Sequence, residues 1–310
     1  MLSLSERLRG QLFAFSQLSI FVTVPFVDPL NPEEVRRAVQ IALAEDIGSG
    51  DVTTQAIVPE TAIAKAIIAG REPLIVAGLA LVEAAFRQLS PRVEISRVAE
   101  DGQRVKPGTA LLELHGPARA ILTGERVALN FLQRLSGIAT LTGQFVEAVK
   151  GTRAQILDTR KTTPGWRVLE KYAVVCGGGH NHRFGLFDMV LIKDNHLAAL
   201  KMESSNPISM ALERARAMHP KLKIEVEADT LEQVEQAVAA EADLVLLDNM
   251  NPVQLRLAVQ KCKGRAQTEA SGGVTLASVR MIAEAGVDFI SVGALTHSAR
   301  AVDIGLDFQP

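Results

Sequence analysis

The 310-residue chain predicts an α/β fold: an incomplete, TIM-like parallel α/β barrel with a smaller amino-terminal α+β sandwich domain. Three observations predict it. Six short aliphatic or β-branched runs occupy the second half, and most of the intervals between them carry a helical apolar pattern, as successive βα units do. Each run ends in residues able to do chemistry, and active sites of parallel barrels lie at the carboxyl ends of the strands. Residues 62 to 115 instead show short runs broken by turn dipeptides, the pattern of a small, mostly antiparallel domain.

In chain order, residues 1–30 form an amino-terminal extension. Leu12 to Phe26 is apolar and follows Arg7 and Arg9, a superficial likeness to a signal peptide. No small-residue cleavage motif accompanies it and Glu6 sits among the basic residues, so a docking helix or an upstream-extended start is the expectation. A helix should then start at Asn31, with Pro32 in its first position and Glu33 and Glu34 favouring its positive end, and run through Ala44 to the Gly48-Ser49-Gly50 loop. Ile63–Ile68 fits a strand, although alanines fill its alternate positions. Gly78–Arg87 reads as a helix, Val93–Ser96 as a half-buried strand, and Leu111–His115 as a strand after the Asp101-Gly102 and Pro107-Gly108 turns. From Ile121 to Lys150 the period is helical, joining the small domain (31–135) to the barrel (136–295), with residues 296–310 left to follow it.

The barrel runs deliver their polar residues in order. Gln155–Asp158 leads into Thr159-Arg160-Lys161, Met189–Ile192 into Lys193-Asp194, and Lys223–Val226 into Glu227. Leu244–Leu247 leads into Asp248-Asn249, Gln267–Ala270 into Ser271-Gly272-Gly273, and Phe289–Val292 into Gly293-Ala294.

Composition narrows the function. The chain is 47% hydrophobic and 22% charged, as in ordinary globular enzymes. A formal net charge of -2 gives no global attraction to nucleic acid or to an anionic membrane. No apolar run is long enough for a spanning helix. Two cysteines, Cys176 and Cys262, form neither a CxxC pair nor a disulfide framework, which suits a reducing cytoplasm.

Attraction for an anion must therefore be local. Arg126, Arg160, Lys161, Arg183 and Lys193, with His182 beside them, form a basic set of which three members leave barrel strands at the active end. Arginine matches carboxylate oxygens with parallel N–H bonds, while lysine acts as a point charge. Such a set suits a dicarboxylate or a phosphate ester; the bland alternative is a solvated surface. The run Cys176-Gly177-Gly178-Gly179-His180-Asn181-His182-Arg183 lacks the GK[ST] ending of a P-loop, and its two histidines have no third metal ligand close by in sequence. Its glycines are expected to confer backbone flexibility. Glu227 and Asp248 end successive strands and offer hard oxygens suited to Mg²⁺, with a general base or a structural partner for Lys193 or Arg160 as alternatives. Ser271-Gly272-Gly273 and Val292-Gly293-Ala294 suit a phosphate between the last two strand loops, or tight turns only. His196 and His297 read as structural. Trp166 and Tyr172 lie on a lid or in the core.

At these residues the chain resembles the quinolinate phosphoribosyltransferase (nicotinate-nucleotide pyrophosphorylase) family. The resemblance spans Glu45-Asp46-Ile47-Gly48 to Asp303-Ile304-Gly305-Leu306-Asp307 and is carried by Gly124-Glu125-Arg126-Val127-Ala128-Leu129-Asn130, Asp158-Thr159-Arg160-Lys161-Thr162-Thr163-Pro164-Gly165, Asn181-His182-Arg183, Lys193-Asp194-Asn195-His196, Leu247-Asp248-Asn249 and Val292-Gly293-Ala294-Leu295-Thr296-His297-Ser298. It implies an enzyme that converts quinolinate and phosphoribosyl pyrophosphate to nicotinate mononucleotide, pyrophosphate and CO₂, with Mg²⁺. It also implies that the last residues return to the small domain. The assembly implied is a homodimer, or a larger oligomer, in which Arg126 reaches the partner's site. On that basis Thr159, Arg160, Lys161, His182, Arg183 and Lys193 hold the quinolinate carboxylates and pyrophosphate. Glu227 and Asp248 hold the ribose hydroxyls and Mg²⁺, and the two glycine loops hold the 5′-phosphate. Val175 stands where relatives often carry a basic residue. Transfer to nicotinate without decarboxylation, a non-catalytic sensor of phosphoribosyl ligands, and a Schiff-base barrel enzyme using Lys193 are the competing readings.

Overall fold

A computed structural model describes residues 29–310; the apolar segment Leu12–Phe26 lies outside the described residues. The chain enters through α1 (Pro32–Ile47), where Asn31 Oδ1 accepts the Glu33 N–H at 2.8 Å and Val35, Val39 and Leu43 form the buried stripe. A short α2 (Val52–Ile57) follows, capped by Asp51. The small domain is built from β1 (Ile63–Gly70), β2 (Leu74–Ile75), α3 (Leu79–Leu89), β3 (Glu94–Arg97), β4 (Arg104–Val105) and β5 (Ala110–Pro117). Strands β1, β3 and β5 pair antiparallel, and β2 pairs with β4.

Next comes α4 (Ala118–Ala148), whose 31 residues belong to both halves. The expected division at 135/136 falls inside this continuous helix rather than in a linker. Its buried residues include Ile121, Ala128 and Leu132 on one side of that point and Ile138 and Ala139 on the other. Ser136 Oγ and Thr140 Oγ1 accept the backbone N–H groups of Ala77 (3.0 Å) and Ile75 (2.8 Å), fastening the small domain to the helix.

The barrel strands are β6 (Gln155–Leu157), β7 (Val190–Ile192), β8 (Ile224–Ala228), β9 (Leu244–Asp248), β10 (Gln267–Ser271) and β11 (Phe289–Ser291). They coincide with the six runs read from the sequence. All pairings are parallel, in the order β6-β11-β10-β9-β8-β7, and β6 does not pair with β7. The barrel is therefore open on one side. The helices between are α5 (Arg167–Cys176), α6 (Asp194–Leu200), α7 (Pro207–Met218), α8 (Leu231–Ala239), α9 (Pro252–Cys262) and α10 (Leu276–Glu284). After a one-turn α11 (Ala294–His297), β12 (Ile304–Gln309) returns to the small domain and pairs antiparallel with β1, from Gly70↔Ile304 to Lys65↔Gln309. Among the described residues no helix is long and apolar enough to cross a membrane.

The glycine run before His180 does something other than loosen the backbone. A Cβ on Gly177 would lie 2.4 Å from the Ala139 carbonyl oxygen, and one on Gly179 2.8 Å from Thr142 Cγ2. These glycines let the segment press against α4, a close approach rather than flexibility. Pressed there, it crosses the open side of the barrel. His180 N–H donates to Ile156 O (2.8 Å) and Asp158 N–H to His180 O (3.1 Å), a one-residue parallel addition to the edge of β6.

Candidate active site

The carboxyl ends of the barrel strands surround a cavity of about 440 Å³. Thr159, Arg160 and Lys161 enter it after β6, Lys193 after β7, Glu227 from β8, Asp248 from β9 and Ser271 from β10. His182 and Arg183 come from the segment that crosses the opening. A second cavity of about 230 Å³ shares Thr159, Lys161 and Ser271 with the first and adds Gly272, Gly273, Gly293, Ala294 and His297. The structure thus gathers nearly every residue singled out from the sequence. Two stand apart. Val292 is buried with its N–H bonded to Leu157 O at 2.9 Å, so Gly293 and Ala294 represent their loop in the cavity. Arg126 is exposed on α4 and lines neither cavity of its own chain.

Local contacts hold the cations in place. The loop from Thr159 to Trp166 is tied down by the buried Glu170, which accepts the Thr163 N–H (3.0 Å) and hydroxyl (2.9 Å) and meets Arg134 of α4 at 3.2 Å. Thr296 Oγ1 donates to Lys161 O at 2.7 Å. Lys193 Nζ lies 3.2 Å from Glu227 Oε2, an ion pair between two site residues. Asp248 accepts from Asn249 Nδ2 at 2.6 Å. Gly272, at φ +99, passes so close to Asn249 that a Cβ would meet its Oδ1 at 2.2 Å, so only glycine makes this turn. Burial, with the neighbouring charge of Arg160 second, lowers the Arg183 guanidinium from its ordinary value.

In the wall of the cavity and beneath it lie groups that the sequence reading did not single out. Lys171 and Asp158, both fully buried, form an ion pair at the base of the crossing segment. Asp158 Oδ1 also accepts the His182 N–H at 2.9 Å, and Lys171 Nζ donates to His182 O at 3.0 Å, so the pair grips both backbone groups of one residue. Burial, only partly offset by Lys171, pushes the Asp158 carboxyl up to about 6. The ring of His182 meets two further carboxylates: Nε2 lies 3.1 Å from Glu225 Oε2 and 3.3 Å from Glu269 Oε2. Burial alone would lower the histidine, but the hydrogen bond to Glu225 and the nearby Glu269 carboxylate raise it to about 10. Burial raises Glu225 above the usual carboxylate range. The donor atoms of His182, Glu225 and Glu269 lie within 4.8 Å of one another, and His180 takes no part in this cluster.

The residues left open from sequence also find places. Trp166 stacks on Phe131 of α4, with ring centroids 5.0 Å apart, and Tyr172 OH donates to Asp101 Oδ2 at 2.6 Å. Asp101 meanwhile caps α3 through Gly78 N–H (2.9 Å), so both aromatics join the barrel to the small domain. His196 Nδ1 accepts the Lys193 N–H at 2.9 Å, a structural role, whereas His297 lines the smaller cavity. Cys176 and Cys262 are free and buried.

Converging cations, two hard carboxylates and a glycine-lined extension at the mouth of an open α/β barrel make a site for a ligand with several negative charges. Residues 51–136 match the quinolinate phosphoribosyl transferase N-terminal domain and residues 138–307 the C-terminal domain of the same family. The chain belongs to the quinolinate phosphoribosyltransferase family. It is 44% identical over 279 residues to the probable nicotinate-nucleotide pyrophosphorylase [carboxylating] of Bacillus subtilis (strain 168), covering 90% of this chain and 94% of that one. To the nicotinate-nucleotide pyrophosphorylase [carboxylating] of Mycobacterium leprae (strain TN) it is 46% identical over 283 residues, covering 89% and 97%. Among solved structures, the nicotinate-nucleotide pyrophosphorylase from Francisella tularensis superposes with a TM-score of 0.86 at 40% identity, covering 91% of this chain and 99% of that one.

Proposed function

We propose that this chain transfers the phosphoribosyl group of phosphoribosyl pyrophosphate to quinolinate, forming nicotinate mononucleotide, pyrophosphate and CO₂, a step of de novo NAD synthesis. The observation that carries the reading is the gathering of Arg160, Lys161, Arg183 and Lys193 with Glu227 and Asp248 in one cavity that shares Thr159, Lys161 and Ser271 with the glycine-lined one. The reaction brings together two carboxylates, a pyrophosphate and a 5′-phosphate, and few metabolic reactions need so many charges held at once. Arg160, Lys161, His182, Arg183 and Lys193, with Thr159, take the carboxylates and the pyrophosphate. Ser271, Gly272, Gly273, Gly293 and Ala294, with Val292 fixing their loop, take the 5′-phosphate. Glu227 and Asp248 orient the ribose hydroxyls.

These two carboxylates sit on adjacent strands, line the same cavity and offer hard oxygen donors, which fits Mg²⁺. When bound, Mg²⁺ supplies positive charge to the departing pyrophosphate. The cations of the chain do the same work: as the C1′–oxygen bond breaks, they stabilise the charge that grows on the leaving group. The quinolinate nitrogen forms the new bond to C1′ with inversion. Its positive charge then stabilises the ring carbanion left when the adjacent carboxylate departs as CO₂, and that carbon takes a proton. Positioning and electrostatics suffice, without a covalent nucleophile.

Arg126 belongs to this scheme only across a subunit boundary, so the reading includes a cytoplasmic homodimer whose site is shared. Turnover of quinolinate with phosphoribosyl pyrophosphate and Mg²⁺ is expected to yield nucleotide and CO₂ in equal amounts, with nicotinate inert; nucleotide from nicotinate without CO₂ would change the substrate assignment. Arg126→Ala and Lys193→Ala homodimers should each be nearly inactive, and mixing them should restore part of the activity by pairing one intact site with one doubly damaged one. No rescue after verified subunit exchange would defeat the shared site.

A further inference from the structure

His182 lines the cavity together with Arg160, Lys161, Arg183 and Lys193. Like charges disfavour an imidazolium. A histidine left alone among these cations would be neutral and, with its one proton on Nε2, would turn a lone pair of Nδ1 toward an incoming carboxylate. That arrangement repels the substrate it should bind. The layer beneath reverses it. Glu225 of β8 and Glu269 of β10 both aim at Nε2, at 3.1 and 3.3 Å, and their side chains are 0% and 1% exposed. Among the described residues, Glu225 Oε1 and both carboxylate oxygens of Glu269 have no hydrogen-bond donor. Two desolvated carboxylates this short of donors call for a cation, and His182 lies against both. Its backbone is clamped separately by Asp158 and Lys171, so the ring is the part that the glutamates control. No Nδ1 hydrogen bond within the described residues competes with a ligand.

We propose that Glu225 and Glu269 are positioning residues for recognition of the substrate's acid group. Glu225 from beneath the cavity and Glu269 from its wall hold His182 as an imidazolium, Nε2 turned toward the pair and Nδ1–H directed to a quinolinate carboxylate. The proposal rests on the function proposed above. Arg160 and Arg183 oppose the charge on His182, and Asp158 supports it through the backbone; the two glutamates decide the balance because they touch the ring itself.

The test uses the full-length enzyme and its Glu269→Gln and Glu225→Gln variants. In ¹⁵N-histidine-labelled wild-type protein at pH 8, the resonance that disappears in His182→Gln should show both ring nitrogens protonated, and in Glu269→Gln it should show a neutral ring. Loss of one charge-assisted hydrogen bond should raise the quinolinate KM about tenfold or more, with the KM for phosphoribosyl pyrophosphate changed less than about twofold on the same reasoning. A neutral His182 in the wild type would overturn the proposal without recourse to any variant. So would equal effects of Glu269→Gln on both substrates, or one equivalent of tightly bound transition metal in the purified protein. If the wild type makes no nucleotide from quinolinate, the functional reading falls, and the nitrogen spectra still decide whether the glutamates charge the histidine.

Discussion

Replacing Lys171 by methionine would test how the crossing segment is held over the barrel opening. Methionine fills the space of the lysine stem, so the cavity contribution is small and the change isolates the charge. The side chains of Lys171 and Asp158 are both 0% exposed. Removing one partner of a buried ion pair costs about 3–5 kcal/mol, whereas replacing both by uncharged groups is often close to neutral. Asp158 keeps its bond from the His182 N–H, and its carboxyl already stands at about 6, so it can shed its charge by taking a proton. The lower end, about 3 kcal/mol, is therefore expected, or a fall in Tm of roughly 5 °C at this chain length. The pH dependence has a definite sign. A buried acid whose folded pKa is raised penalises the folded state only where it is ionised, and losing Lys171 raises Asp158 further. The deficit against wild type is thus full above the raised pKa of the variant's Asp158 and shrinks as pH falls toward about 6, below which the carboxyl is protonated in both folded proteins. Calorimetry at pH 8 and pH 5 should show a large Tm deficit in the first and a small one in the second. Lys171→Met/Asp158→Asn should recover most of the loss. A deficit that grows on acidification, or one below about 1 kcal/mol, would refute the assignment of the pair as a structural clamp.

Two further predictions concern the carboxyl-terminal return. Glu72 accepts from Arg300 and from the Asp303 N–H (2.7 Å), and these bonds, the Arg300 one first, hold its carboxyl at about 2 instead of 4.5. A depressed carboxylate stabilises the fold above its unfolded value and loses that contribution as pH falls from 4.5 through about 2. Arg300 is 71% exposed, so Glu72→Gln should cost only about 1 kcal/mol at pH 7 after screening, with the difference from wild type fading below pH 4 in thermal melts. Gly137→Ala sets two effects against each other. Alanine favours a helix interior by about 1 kcal/mol over glycine, but its Cβ would sit 2.0 Å from the Arg300 carbonyl oxygen, which is backbone and cannot rotate away. Overpacking should win by about 1–3 kcal/mol and accelerate hydrogen exchange in residues 304–309; an unchanged or raised Tm would show that the return can shift at little cost.

The barrel was legible because its strands are largely buried on both faces and so read as short apolar runs with polar termini, broken where Glu225 and Glu269 interrupt β8 and β10. Val245 and Leu247, both fully buried, are typical. The boundary between the halves was less legible. Ile121 to Lys150 reads as one helix, yet nothing in its period says that one stretch packs on the small domain and the next on the barrel. The use of the glycines at 177 and 179 was also hidden, since freedom of the backbone and absence of a side chain look identical in sequence. Only the positions of Ala139 and Thr142 distinguish them.

The glutamates under His182 are a different case, because a signal for them was present. In a strand, side chains two residues apart share a face. Glu225 therefore points the same way as Glu227, and Glu269 the same way as Ser271, one layer deeper toward the barrel interior in each case. A charge on the inward face of a buried run is costly unless something offsets it. Two such charges on strands separated only by β9 imply a cation between them. The open side of the barrel is where that cation can enter, and the crossing segment brings His182 through it. Read this way, the missing pairing between β6 and β7 is the route by which the site acquires the histidine that its two deepest carboxylates require.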